Sequence, residues 1–229
     1  MFISEIFYSL QGEGLLMGVP SVFIRTSGCN LRCRWCDTPY ASWKPEGEQQ
    51  SVEAIIKEIA IYECRHVVLT GGEPMVAPEL PALAMLLRRE GYHITIETAG
   101  TVMPSGIECD LASLSPKLKN SIPEFSVAGI WKEKHEATRY QPEVLRSWIR
   151  DYHVQCKFVV TSEDDLPEIE NIILDLEPFA RDRILLMPEA TQVEVLRQRS
   201  PLIAKLCLER GFRFAPRLQI ELYGNKRGT

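Results

Sequence analysis

Strand-type and helix-type patterns alternate along most of the 229-residue chain. Short apolar runs typical of buried strands occupy residues 21–26, 66–70, 93–98, 109–115, 154–160 and 183–187. Amphipathic helical patterns occupy residues 51–63, 78–90, 141–150, 164–176 and 191–210. This alternation predicts a parallel sheet with right-handed crossovers. Because six such strands are fewer than the eight of a closed barrel, we expect an α/β fold, a partial, open (βα)6 TIM-like barrel.

Three segments lie outside this alternation. Residues 2–8 have the pattern of a short strand and lead into a glycine-rich turn over 11–14, residues 119–137 are typical of a long polar loop, and residues 212–229 form a tail. The chain has no internal repeat and no low-complexity segment. We therefore predict one domain over residues 1–229, with an N-terminal extension over 1–20 and a C-terminal tail over 212–229.

Composition narrows the classes of partner. The net charge of −5 argues against a broad phosphate-binding surface, so we expect no nucleic-acid partner. The first ten residues lack the pattern of a signal peptide, and no apolar run approaches the roughly 20 residues that a membrane span needs. Seven cysteines, an odd number, fit reduced thiols better than a disulfide framework. We expect a cytoplasmic protein without a membrane partner.

Polar motifs follow the predicted strands at the points where these strands end. A cysteine-rich loop follows residues 21–26, Gly-Gly-Glu-Pro follows 66–70, Glu-Thr-Ala-Gly closes 93–98, and Ser-Pro-Lys follows 109–115. The carboxyl ends of parallel strands share one edge of a sheet, where ligands bind in such folds. We therefore expect one site that gathers all four motifs.

Three closely spaced cysteines carry the strongest chemical signal. Cys29, Cys33 and Cys36 have a C-x3-C-x2-C spacing on one loop. Thiolates are the usual ligands of iron–sulfur clusters, and three of them leave the fourth iron of a 4Fe–4S cluster open to a ligand. The alternatives are a structural zinc site, which requires a fourth ligand, and three unrelated core cysteines. The other four cysteines are scattered and form no second C-x2-C pair, which favours the cluster.

The triad resembles that of the radical S-adenosylmethionine (SAM) superfamily. Trp35 stands before the last cysteine, and Thr70-Gly71-Gly72-Glu73-Pro74 resembles the motif with which the superfamily holds the methionine amino group. The resemblance implies that the reduced cluster cleaves SAM and that the resulting radical removes hydrogen from a substrate. It implies no catalytic side chain.

Further motifs resemble one family within that superfamily, the 7-carboxy-7-deazaguanine synthases. These motifs are residues 10–14, 18–20, 23–25, 28–31, 36–38 and 115–117, together with 223–228 in the tail. Enzymes of that family are lyases that convert 6-carboxy-5,6,7,8-tetrahydropterin to 7-carboxy-7-deazaguanine, contracting the ring and releasing ammonia. The product enters queuosine-type 7-deazapurine biosynthesis. The resemblance also implies a homodimer and an electron donor such as flavodoxin.

The family resemblance implies roles for particular residues. The expected substrate contacts are Leu10, Gln11, Gly12, Arg25, Thr70 and Thr229. Arg25 offers a fixed fork to a carboxylate, the alternative being a structural ion pair. Expected contacts to SAM are Trp35, Cys36, Asp37, Gly72, Glu73, Ser115, Pro116, Lys117, Met187, Pro188, Glu189 and Ala190. Glu97 either meets ribose hydroxyls or pairs with a neighbour. Thr38 corresponds to the family's Mg²⁺ position, although a threonine after Asp37 is also typical of a turn or helix N-cap.

One departure and three competing hypotheses remain. Many relatives have His-x-x-x-Trp-Gly in the tail, where this chain has Gln219 and Tyr223 before Gly224. The main alternative is another radical SAM enzyme, such as an activase acting on a glycine of a partner protein, which has no need of Arg25 or Gln11. A zinc-dependent nucleic-acid-binding module needs a basic face and a fourth ligand, and an electron carrier does not explain the Gly-Gly-Glu-Pro motif.

Overall fold

The computed structural model describes residues 1–176 and 178–229, and their strands form one nine-stranded sheet. The strands are β1 (Phe2–Leu10), β2 (Pro20–Thr26), β3 (Glu48–Gln49), β4 (His66–Gly71), β5 (His93–Thr98), β6 (Leu111–Leu114), β7 (Val154–Val160), β8 (Ile184–Pro188) and β9 (Arg213–Phe214). Their spatial order is β3-β1-β2-β4-β5-β6-β7-β8-β9. From β2 to β9 all neighbours are parallel, whereas β1 pairs antiparallel with β2 and β3. The open sheet confirms the predicted partial barrel with six main parallel strands.

Helices follow the parallel strands as the apolar periodicity predicts. The helices are α1 (Pro39–Ser42), α2 (Val52–Ile59), α3 (Leu80–Arg89), α4 (Phe125–Ala128), α5 (Trp131–Thr138), α6 (Pro142–Asp151), α7 (Leu166–Asp175), α8 (Val193–Arg210) and α9 (Leu218–Tyr223). Helix α2 shows the logic: Ser51 caps it by accepting from the Ala54 amide, and Ile55 and Ile59 are fully buried. No helix in the described part of the chain is long and apolar enough to cross a membrane.

Two segments differ from the sequence pattern. Residues 119–137, predicted to be a polar loop, contain α4 and all but the last residue of α5. Helix α5 buries His135 completely against the cysteine loop. In the tail, β9 is only two residues long, and the Ala215 amide beyond it donates to the Leu186 carbonyl of β8 at 2.9 Å. Helix α9 then begins at Leu218, whose amide donates to the Gly12 carbonyl at 2.9 Å.

Strand register brings the polar motifs together. Arg25 on β2 lies beside Thr70 on β4, and Thr26 beside Gly71. On the next pair, Glu97 of β5 lies beside Ser113 of β6. Below this edge a continuous apolar core includes buried side chains of β2, β4, β5, β7 and β8. The rigid sheet therefore presents the motif residues at one edge.

Candidate active site at the carboxyl edge of the sheet

One cavity at this edge is lined by most of the residues that the sequence predicts for the site. These are Leu10, Gln11, Gly12, Arg25, Cys29, Cys33, Trp35, Cys36, Asp37, Thr38, Thr70, Gly72, Ser115, Lys117, Met187, Glu189 and Thr229. Glu73, Pro116, Pro188 and Ala190, predicted as SAM contacts, are buried outside this lining. One cavity is therefore lined by residues from the loops after β2, β4, β6 and β8 and from both ends of the chain.

The three predicted cluster ligands all line this cavity on the loop after β2. The loop is held by the Trp43 indole, which donates to the Cys33 carbonyl at 3.0 Å, and by Ser42 Oγ, 3.1 Å from Cys36 Sγ. Burial raises the pKa of the Cys29 and Cys33 thiols to about 12, so their thiolates require the charge of bound iron. No three His, Cys, Asp or Glu side chains in residues 1–176 and 178–229 converge on a single metal ion.

The turn after β4 lies against the cysteine loop. A Cβ on Gly72 would come within 2.3 Å of the Gly28 carbonyl and 2.8 Å of Cys29 Cβ, so only glycine fits. The Glu73 carboxylate is 1% exposed and accepts from the Thr98 hydroxyl and from the amides of Met75 and Ala99. Burial raises its pKa. Glu73 therefore joins the ends of β4 and β5, and its oxygens already have partners.

The loop after β6 carries Ser115 and Lys117, two of the expected SAM contacts. The Lys117 ammonium donates to Ser115 Oγ at 2.8 Å and lies 5.6 Å from the centre of the Trp35 ring. The Trp35 indole donates to the Asn120 carbonyl at 3.1 Å. These contacts fix the Trp35 ring and the Lys117 ammonium beside the cysteine loop.

Arg25 lines the cavity but also has the ion pair considered as its alternative role. Its Nε donates to Glu5 Oε1 at 2.6 Å, and the Tyr40 hydroxyl donates to the same oxygen at 2.8 Å. Burial disfavours the charge, but the neighbouring Tyr40 and Glu5 hold the pKa of Arg25 above its usual range. The guanidinium is therefore a fixed cation on the cavity wall.

Gln11 and Thr70 are oriented by Glu97. The Gln11 amide nitrogen donates to Glu97 Oε1 at 3.2 Å, and the Thr70 hydroxyl donates to Glu97 Oε2 at 3.0 Å. Of the two roles considered for Glu97, the structure shows the paired carboxylate. The amide oxygen of Gln11 accepts from the Glu13 amide at 3.1 Å. The turn after β1 is thus anchored to β4 and β5.

Thr38 lies at the N-cap position of α1, but its hydroxyl makes no capping hydrogen bond. Its Oγ1 lies 3.8 Å from Cys36 Sγ. The backbone of Thr38 therefore has the turn role considered as an alternative, while its side chain lines the cavity.

The cavity also holds a set of mutually paired polar side chains, of which sequence reasoning missed Lys157 and Arg217. We call Glu13, Asp37, Lys157, Arg217 and Gln219 the charged wall. Glu13 pairs with Lys157 through Oε2 and with Arg217 through Oε1, the latter at 3.1 Å. Arg217 also pairs with Asp37, and Gln219 donates to Glu13 Oε1 at 2.7 Å.

Burial raises the pKa of Glu13, but Lys157 and Arg217 outweigh it and hold the pKa far below the usual range. Glu13 therefore stays ionised at neutral pH. The sequence signal of the charged wall is Lys157 inside the apolar strand VQCKFVV, since a charge in a buried strand needs a partner.

The comparison with known proteins first defines the class. The sequence profile of the radical SAM superfamily matches residues 23–153, from β2 to the residue before β7. The crystal structure of Streptococcus suis SuiB bound to S-adenosylmethionine shares the fold, with a TM-score of 0.54 at 14% identity over 86% of this chain and 53% of that chain. The chain belongs to the radical SAM superfamily and therefore uses a 4Fe–4S cluster and SAM.

Full-length relatives then define the family. The chain is 48% identical over 230 residues to the 7-carboxy-7-deazaguanine synthase of Rhodopirellula baltica, covering 100% of this chain and 89% of that protein. It is 44% identical over 233 residues to that of Halobacterium salinarum, covering 97% and 90%. The crystal structure of QueE from Escherichia coli matches with a TM-score of 0.68 at 27% identity over 93% of this chain and 92% of that chain. The chain belongs to the 7-carboxy-7-deazaguanine synthase family.

Proposed function

We propose that this enzyme is a radical SAM lyase that converts 6-carboxy-5,6,7,8-tetrahydropterin to 7-carboxy-7-deazaguanine, with ring contraction and loss of ammonia. One observation carries the proposal: a single cavity joins the cysteine loop to a wall containing Arg25, Gln11 and Thr70. The substrate carries a carboxylate and a guanine-like edge. These match a fixed, half-buried guanidinium and oriented amide and hydroxyl groups.

The donor set and the spacing of the loop fit the cluster, and Cys29, Cys33 and Cys36 would hold it. Gly72 allows the turn after β4 to lie close against the cysteine loop. Trp35, Ser115 and Lys117 would bind the adenosine part of SAM. When bound, the two cofactors supply the one-electron chemistry that cleaves SAM and removes a hydrogen atom from the substrate. The protein binds, orients and excludes water, and Met187 and Glu189 would border SAM from β8.

The remaining residues would act on the substrate. Arg25 would bind its carboxylate, and Leu10, Gln11, Gly12, Thr70 and Thr229 would bind the pterin edges. Thr38 would contribute one oxygen to Mg²⁺, whose other ligands would be substrate oxygens and water. A cytoplasmic homodimer with one domain per chain remains a prediction from the family and the sequence.

An anaerobic assay tests the proposal. Reconstituted enzyme, SAM, dithionite and the carboxytetrahydropterin should yield 7-carboxy-7-deazaguanine and ammonia. Cys33→Ala should lose iron absorbance and all SAM cleavage, whereas Cys207→Ala, on α8, should keep both. Cleavage of SAM by iron-loaded wild type without any pterin-derived product would reject the proposed reaction and favour another radical substrate.

A further inference from the structure

Helix α1 begins three residues after the last cysteine of the cysteine loop and places a buried hydroxyl against that cysteine. Ser42, the last residue of α1, is 3% exposed and lines the cavity. Its Oγ lies 3.1 Å from Cys36 Sγ. The same Oγ lies 3.4 Å from the carbonyl oxygen of Thr38, one helical turn earlier. The Ser42 hydroxyl therefore has one proton and two acceptors within reach.

The residues on either side of Ser42 hold it in this position. The Gly28 amide donates to the Ala41 carbonyl at 2.8 Å, and the Trp43 indole donates to the Cys33 carbonyl at 3.0 Å. Both hydrogen bonds join α1 to the cysteine loop. Because these neighbours fix α1, removal of the Ser42 hydroxyl should leave the helix and the loop in place.

The direction of the hydrogen bond between Ser42 and Cys36 follows from the chemistry of sulfur. A cysteine binds iron as a thiolate, which has no proton to donate. Once Cys36 binds iron, its sulfur can only accept, so Ser42 is the donor. The bond is then charge-assisted and shielded from water, and both effects strengthen it. The contact with sulfur should therefore be favoured over the longer contact with the Thr38 carbonyl.

The other donors near the predicted cluster ligands are less suited to this role. The Leu31 amide donates to Cys29 Sγ at 3.3 Å, but this is a backbone hydrogen bond that no side-chain change removes. The Thr38 hydroxyl is 3.8 Å from Cys36 Sγ, farther than that of Ser42. Among residues 1–176 and 178–229, Ser42 has the shortest contact between a side-chain hydroxyl and a predicted cluster ligand.

We propose that Ser42 raises the reduction potential of the 4Fe–4S cluster by donating a hydrogen bond to the Cys36 thiolate. The inference rests on the cluster that the proposed function assigns to Cys29, Cys33 and Cys36, and it does not depend on the substrate. One-electron reduction makes the thiolates more negative, so a donated hydrogen bond stabilises the reduced state more than the oxidised state. The electron comes from an external reductant such as dithionite, which is oxidised, and Ser42 keeps its proton.

A redox titration tests the role of Ser42. Iron-loaded protein is equilibrated anaerobically with dithionite and mediators, without SAM or pterin, and the reduced cluster is quantified by electron paramagnetic resonance. Ser42→Ala should lower the midpoint potential. At the wild-type midpoint, its ratio of reduced to oxidised cluster should fall about tenfold, which corresponds to about 59 mV for a one-electron couple. Ser42→Thr keeps a hydroxyl and should restore most of the wild-type potential.

Ser200→Ala is the matched control. Ser200 Oγ donates to the Leu196 carbonyl, one turn earlier in α8, at 2.6 Å, and Ser200 lies outside the cavity lining. The control therefore loses a helical serine hydroxyl without losing a donor to sulfur, and it should titrate like wild type. Thr38→Val removes the more distant hydroxyl and should shift the potential less than Ser42→Ala does.

The outcomes of the titration are separable. The midpoint potential does not depend on the fraction of molecules that carry the cluster, so partial iron loading leaves the comparison valid. An unchanged midpoint in Ser42→Ala overturns the inference, as does a larger shift in Thr38→Val. Complete loss of iron from Ser42→Ala also overturns it, because Ser42 would then be needed for cluster assembly. Failure of the pterin reaction would leave these potentials unaffected, since neither SAM nor substrate is present.

Discussion

At the scale of single residues, Arg25 joins the cavity to the outer edge of the sheet. Its side chain is 15% exposed, and the described residues give its Nε a partner in Glu5 but offer its terminal nitrogens no hydrogen bond. Arg25→Ala should therefore lose about 1.5–3 kcal/mol of substrate binding, roughly 10- to 150-fold in affinity. Uncoupled SAM cleavage should persist. Equilibrium binding of the pterin to iron-loaded protein checks the prediction.

Glu5→Gln is the matched control for Arg25. It keeps an oxygen for the Arg25 Nε and removes only the charge, so its loss of affinity should be the smaller of the two. If neither Arg25→Ala nor Glu5→Gln changes the affinity for the substrate, the ion pair between Arg25 and Glu5 is purely structural.

Thr38 is the second prediction at this scale. Because its hydroxyl does not cap α1, Thr38→Val should leave the helix and cluster assembly intact while removing the proposed ligand of Mg²⁺. Thr38→Ser keeps the oxygen and should retain most of the response to magnesium. Turnover is measured against magnesium concentration for the three forms. Superimposable curves for wild type and the valine variant would assign Thr38 to the turn alone.

At the scale of elements, the charged wall joins the turn after β1, strand β7 and the segment before α9 through Glu13. Glu13→Gln should cost about 3–5 kcal/mol of unfolding free energy at neutral pH, since it leaves Lys157 buried without its ion pair. Adding Lys157→Met removes the stranded charge and should recover most of the loss. Urea unfolding of the iron-free proteins measures both changes. Asp151→Asn, in the exposed pair with Arg150, is the control and should leave the stability nearly unchanged.

The same variants predict a pH dependence. The pKa of Glu13 in the folded state lies far below its unfolded value of about 4.3, so its stabilisation is complete above that pH and is lost on acidification below it. The difference in unfolding free energy between wild type and Glu13→Gln should therefore narrow below about pH 4. Equal losses in the single and double variants at neutral pH would show that Lys157 and Glu13 are not coupled.

Helix α5 is attached to the cluster loop by a neutral histidine. Ser121 Oγ donates to the Leu118 carbonyl at 2.6 Å and so accepts from His135 Nε2, while His135 Nδ1 accepts from the Arg32 amide. Burial, with help from Arg139 and Lys117, lowers the pKa of His135 to about 4. The unfolded ring, with a pKa of about 6.5, gains a proton first as pH falls. The unfolding free energy therefore falls by up to about 3 kcal/mol between about pH 6.5 and about pH 4.

His135→Gln tests this attachment. The variant should be less stable than wild type at neutral pH, and the difference in unfolding free energy should narrow towards about pH 5, because only wild type loses the histidine contribution. Urea unfolding of the iron-free proteins across that range provides the measurement. A difference in unfolding free energy that stays constant with pH would mean that His135 is not held neutral in the folded protein.

The helices and strands also show which parts of the fold local sequence patterns can predict. Buried strands and amphipathic helices follow from local periodicity, which is why β2, β4 and β7 lie where the pattern predicts them. Helix α5 was missed because its stability comes from contacts of His135 and Trp131 with a loop about 100 residues earlier. The pairing of Glu13 with Arg217 was missed for the same reason, since these residues are 204 positions apart and no local motif relates them. Motifs on single strand ends, such as Cys33 and Gly72, were predictable.

At the scale of the whole molecule, the two ends of the described chain meet beside the substrate side of the cavity. Arg227 in the tail donates to the Ser4 carbonyl of β1 at 3.0 Å and pairs with Glu46 at 3.1 Å. It also lies 3.4 Å from the Glu5 carboxylate, which is shared with Arg25. Since Thr229 lines the cavity, the position of the tail and that of Arg25 depend on the same glutamate.

Arg227→Gln should therefore loosen the tail and raise KM for the pterin about fivefold, the effect of roughly 1 kcal/mol from a partly exposed ion-pair network. The turnover number and SAM cleavage without substrate should stay unchanged, because Arg227 lies outside the cavity lining. Arg210→Gln breaks the comparably exposed pair with Glu170 and should leave KM unaltered. Steady-state kinetics with dithionite as reductant distinguish the two variants. A fall in the turnover number at unchanged KM would contradict a role of Arg227 in positioning the tail for substrate.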